Sequence, residues 1–193
     1  MNGVTLVLRA LHQGERDPVD GLVALAERHR AEHEVHHVAT DVATWSREHV
    51  RRLADTAAHY GLDLDDPDSG APDSEGPDSE GSDSGDPDLR GPDLDGPPGG
   101  SSPDLFAAPR KKAPEPAGGP SDPGLLLLRD LREAHLAAAH NSLHWEMLAQ
   151  AAQALRDHRL LALASFCHPR TLRQMRWTNT MIKNLSPQLL TSL

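Results

Sequence analysis

Val35-His36-His37-Val38-Ala39-Thr40-Asp41-Val42-Ala43-Thr44-Trp45-Ser46-Arg47-Glu48-His49-Val50-Arg51-Arg52-Leu53 is the stretch that decides the fold. Val35, Val38, Val42, Trp45, His49, Leu53 and Thr56 recur at three- and four-residue steps, the period of a helix with one buried face. The spacing predicts a helix over 33–60, with Gly61 as its C-cap because glycine tolerates the left-handed turn that ends many helices. Trp45 is expected in the core, where its loss to alanine would cost about 3–5 kcal/mol.

The same period extends outward. Upstream, Val4, Leu8, Leu11, Glu15, Leu22, Leu25 and His29 form the seam of a helix over 4–31. Asp17-Pro18 is expected to kink it or to start a new one, since proline inside a helix removes a backbone donor. Downstream, a third helix is predicted over 125–156, capped by Ser121 or Asp122 ahead of Pro123. Its seam runs through Leu128, Leu131, Ala138, Ala149 and Ala152. A fourth helix is predicted over 159–185, with Leu161, Ala164, His168, Leu172, Met175 and Ile182 inward. Pro169 is expected to bend it or to mark its true first turn, and Ser186-Pro187 to end it.

Between the pairs lies a different polymer. Residues 63–124 carry 16 acidic and 4 basic residues, a net charge of −12, and repeat units such as Pro72-Asp73-Ser74-Glu75-Gly76 and Pro77-Asp78-Ser79-Glu80-Gly81. They have no apolar period, so ordering them would gain too little burial to offset its entropy, and disorder is expected. The aspartates lack the spacing of a calcium loop. Outside this stretch 13 acidic and 15 basic residues leave +2, so the helical part is nearly neutral. It is not basic enough to predict nucleic-acid binding. The single cysteine, Cys167, forms no internal disulfide, and no run is long and apolar enough for a signal peptide or a membrane span. A cytoplasmic protein is expected, with no membrane association. Arginine far outnumbers lysine, as in GC-rich bacterial coding sequences.

All twelve histidines fall in the helical segments. By helical phase, Glu15, His49, His135, Glu146 and His168 point inward, at least one from each helix. Glu15, His49, Glu146 and His168 are expected to converge at mid-bundle, because a buried charge is costly unless paired or bound to metal. Such a set suits a single divalent ion such as zinc or iron. The plainer reading is a hydrogen-bonded polar layer with no cofactor. His29, His33 and His37, and separately His140 and His144, have the i, i+4 spacing of surface metal ligands but read as solvated faces. Cys167 reads as a structural thiol. Arg170, Arg173 and Arg176 lie on a helix without acidic residues and would suit the acidic linker or an acidic protein partner.

Ala43-Thr44-Trp45-Ser46-Arg47-Glu48-His49-Val50-Arg51-Arg52-Leu53 resembles the second helix of the ferritin-like YciE/YciF group, and His144-Trp145-Glu146 resembles its third. The likeness spans about 110 residues loosely. It implies a ferritin-like four-helix bundle with a carboxylate-bridged di-iron centre. The chain departs from that centre. No Asp or Glu follows Asp157, Leu143 stands where the family has a ligating Glu, and only Glu15, Glu48 and Glu146 remain, against a usual four carboxylates and two histidines.

The expectation is therefore all-α, a four-helix bundle with a long crossover. Residues 1–62 and 125–193 would be helical hairpins of one bundle, with 63–124 the linker. No nucleophile–base motif, phosphate loop or dinucleotide fingerprint occurs. The expected role is a binding or scaffold protein rather than an enzyme, and the alternative is a metal-binding protein using the inward Glu and His.

Overall fold

The computed structural model describes residues 3–65 and 122–191. The expected disorder of 66–121 lies outside the described residues. Four helices are present: α1 (Gly3–Arg28), α2 (His33–Ala58), α3 (Pro123–Leu155) and α4 (His158–Thr191). Among the described residues there is no strand, and no helix is long and apolar enough to cross a membrane.

Contacts fix the arrangement. α1 pairs with α2 and α3 with α4, while α1 also packs on α3 and α2 on α4. Every neighbouring pair is antiparallel. Gly14 and Glu15 meet Asn141 and Trp145, whereas Arg28 and His29, at and just past the end of α1, meet Asp130, early in α3. Arg52 meets Phe166 and Trp45 meets Arg173 between α2 and α4. The chain must therefore cross the length of the bundle between α2 and α3.

The linker boundaries shift at both ends. After α2, Gly61 takes a left-handed φ of 67°, and Leu62 N–H donates back to Ala57 O at 3.1 Å, closing the helix end. Leu62 and Leu64 then pack on the core, and Asp65 pairs with Arg16 at 2.8 Å. At the other end Asp122 caps α3, its Oδ1 accepting from the Gly124 and Leu125 N–H groups at 2.8 and 3.2 Å, with Pro123 at the first helical position. The α3–α4 turn places Arg156 in the left-handed region, and Asp157 caps α4 through Arg159 and Leu160 N–H. Tyr60 donates to Asp157 at 2.6 Å. This bond, with those from the helix N–H groups, holds the Asp157 carboxyl below its ordinary range, while burial and Asp157 push the Tyr60 phenol up to about 12.

No new helix starts at Pro18, and α4 does not end at Pro187. α1 runs unbroken through Pro18. Proline has no N–H for the carbonyl four residues back, here Gly14 O, and that oxygen accepts instead from Asn141 Nδ2 of α3 at 2.7 Å. Gly14 permits the approach, since a Cβ there would lie 2.2 Å from Asn141 Oδ1. α4 likewise continues through Pro187 to Thr191, its Leu189 packing so closely on Gly124 that a Cβ there would meet Leu189 Cδ2 at 2.4 Å. Asn141→Ala is expected to cost about 1–3 kcal/mol in urea unfolding, because it leaves a carbonyl unpaired. In a Pro18→Ala background the helix supplies its own donor and the cost should shrink. An equal cost in both backgrounds would show that Asn141 does not act through Gly14 O.

The interior is two apolar clusters with a polar layer between them. One contains Val7, Leu8, Leu11, Leu53, Trp145, Leu148 and Leu160; the other contains Leu22, Leu25, Val35, Val42, Leu127, Leu131 and Met181. Between them lie buried Glu15, Ser46, His49, Asn141, Thr171 and Gln174.

Candidate functional site: the buried polar layer

Glu15 is the one buried carboxylate among the described residues, 2% exposed. Helical phase puts it on the same face of α1 as Leu8, Leu11 and Leu22, so it cannot leave the core without removing them. Its Oε1 accepts from Trp145 Nε1 at 3.0 Å, and its Oε2 accepts from Ser46 Oγ at 3.0 Å. His49 Nδ1 lies 3.2 Å from the same Oε2, at ion-pair distance but off the direction a hydrogen bond needs. The imidazole stands edge-on to Trp145, ring centres 5.8 Å apart. From α4 come Cys167 and Thr171, both buried. Burial, and then the charge of Glu15, pushes the Cys167 thiol up to about 12, which removes it as a nucleophile at neutral pH.

Glu15 and His49 thus meet as expected, but Glu146 and His168 do not join them. Glu146 is exposed and takes a hydrogen bond from Gln150 at 3.1 Å. His168 is half-buried at the α3–α4 rim, bonded to Ser142 Oγ at 3.0 Å and 3.8 Å from Glu146. The four residues form two pairs, and among the described residues no three His, Cys, Asp or Glu side chains are grouped to hold a metal ion. The reason is helical phase. α3 buries Leu131, Ala138 and Ala152 of its expected seam, but the buried face extends through Ala134, Asn141, His144, Trp145 and Leu148, on the side away from Glu146; α4 keeps Ala164 of its expected seam but buries Leu160, Leu163, Cys167, Thr171 and Thr178 and exposes Leu172. His135 lies at the edge of this layer, 2.9 Å from Thr178 Oγ1.

Trp45 is only partly buried against the core, while Trp145 is completely enclosed. Trp45→Ala should consequently cost less than the figure expected from sequence. Glu48 faces outward and binds Arg51 and Arg52, with the Arg52 bond foremost in holding its carboxyl below the ordinary range. Arg52 and Arg170 sandwich the Phe166 ring at 3.7 and 4.0 Å, and Arg173 sits 5.7 Å from the Trp45 ring. These cation–π contacts clip α2 to α4. Arg176 is exposed.

The remaining histidines divide. His33 and His37 are exposed, with rings 5.2 Å apart. His29 is buried against Asp130 at 3.2 Å. His144, expected on a wet face, is buried with its ring 4.5 Å from that of His140. Burial lowers the pKa of His144, with His140 adding to the effect, and burial likewise outweighs Asp65 in lowering His12. Both folded values lie below the ordinary 6.5, so the unfolded chain takes up protons first. Stability should be full above about pH 6.5 and fall as pH drops from there through the folded values. Melting temperatures between pH 8 and 5 check this, and His12→Gln or His144→Gln should flatten the slope. An unchanged slope in both variants would assign the acid loss to other groups.

The chain matches no family model, no curated protein and no solved structure.

Proposed function

We propose that this chain is a ferritin-like helical binding or scaffold module without a working di-iron centre. The topology supports the ferritin-like reading: two antiparallel hairpins, antiparallel neighbours throughout, and one crossover spanning the bundle. The observation that carries the absence of a di-iron centre is the state of Glu15. It is the only buried carboxylate among the described residues, and its two oxygens already accept from Trp145 and Ser46, with His49 at ion-pair distance. A di-iron site draws on about four carboxylates and two histidines facing one another. Here the polar layer serves to specify helix register, and recognition falls to the surface.

The test is melting of protein purified without a histidine tag, with EDTA and then with added zinc or iron(II), alongside metal analysis. The expected result is no bound metal and no shift in either direction. A rise with metal that EDTA reverses, and that persists in His33→Gln/His37→Gln, would overturn this reading in favour of a metal site at Glu15 and His49.

A further inference from the structure

We infer that the outward face of α3 is the interface of a symmetric dimer, through which two copies of this chain pair antiparallel. α3 fills the core with one side and meets α1 and α4 on its flanks. Its opposite side nonetheless carries a short apolar strip between Arg132 and Gln150. Leu143 is 66% exposed and Leu136 47% exposed, and neither belongs to the core clusters. With Ala139, half-buried His140 and half-buried Met147 they form a strip at three- and four-residue steps. That is the seam spacing of paired helices. A helix apolar on both faces is ordinarily covered on both.

The pattern selects a second copy as the cover. Leu136 and Leu143 lie symmetrically about the midpoint of Ala139 and His140. A twofold axis there sets each leucine against the other leucine of the second copy, with Ala139 small enough to let the helices approach to about 8–10 Å. Arg132 lies seven residues before Ala139 and Glu146 seven after it, both exposed and both on one flank of the strip. A twofold preserves flanks, so Arg132 of each copy meets Glu146 of the other. Glu133 lies on the opposite flank, clear of Glu146. Such self-complementarity is what an isologous interface requires and what an unrelated partner would not need.

Sedimentation of the full chain over a concentration series tests this. The parent is expected to be a dimer. Leu143→Glu changes an exposed position, so the helical signal should persist while the dissociation constant rises at least about tenfold. Arg132→Glu should also weaken the dimer, and Arg132→Glu with Glu146→Arg should restore it. A monomeric parent at all concentrations, a dimer unaffected by Leu143→Glu, or a charge swap that fails to restore pairing would each overturn the proposal.

Discussion

Trp145→Ala is expected to destabilise the protein by about 3–5 kcal/mol, the range for a fully buried aromatic, and so to consume much of the 5–15 kcal/mol typical of a whole domain. Trp145 is 0% exposed and is one of the largest enclosed side chains. Two losses add at this position. The indole leaves a cavity among Leu11, Leu53, Leu148 and Cys167, its companions in one apolar cluster, and Glu15 Oε1 loses its donor. Urea unfolding measures the sum. Trp145→Phe separates the two, since it keeps most of the ring but not the N–H. If Trp145→Phe is as stable as the parent, the bond to Glu15 contributes nothing and the cavity accounts for the whole effect. Trp45→Ala is the control, and its cost should be clearly smaller because that ring is only partly buried.

Glu15→Ala should be comparably severe, about 3–5 kcal/mol, because it strands the groups gathered around the carboxylate. Ser46 Oγ, Trp145 Nε1 and the His49 ring, all enclosed, would lose it together. A buried polar pair is costly to break and much less costly to replace whole. Glu15→Leu combined with His49→Leu should therefore be less damaging than Glu15→Leu alone, despite carrying more changes. If the double variant costs the sum of the singles, Glu15 and His49 do not act as a unit and the layer is a set of independent bonds.

The helix periods were legible in the sequence because each helix carries a run of apolar residues longer than any competing signal. α1 and α2 could also be phased. Their polar faces are charged, as at Asp17, Asp20, Arg47 and Arg51, so Glu15 and His49 stood out as intruders on a seam. α3 could not be phased that way. Leu136 and Leu143 make its outer face apolar too, which blurred the arc and turned Glu146 inward at the expense of His144 and Trp145. Period alone misplaces the face of α4 for a related reason. Its core face carries Thr171, Gln174 and Thr178, polar side chains that period alone assigns to solvent. Thr178 is satisfied within its own helix by Gln174 O and by His135 of α3, and Gln174 reaches Ala134 O.

By itself, then, the sequence determined how many helices form, roughly where they start and stop, and that a carboxylate and an imidazole from α1 and α2 face inward. Those outcomes rest on local energetics, namely hydrophobic period and caps. The tertiary structure decided which polar groups share an environment and whether a proline breaks its helix. Pro18 shows why. Its effect depends on whether Gly14 O finds a donor, and that donor, Asn141, is 127 residues away in sequence and on another helix. No window along the chain contains both groups, and only packing α1 against α3 brings them to 2.7 Å.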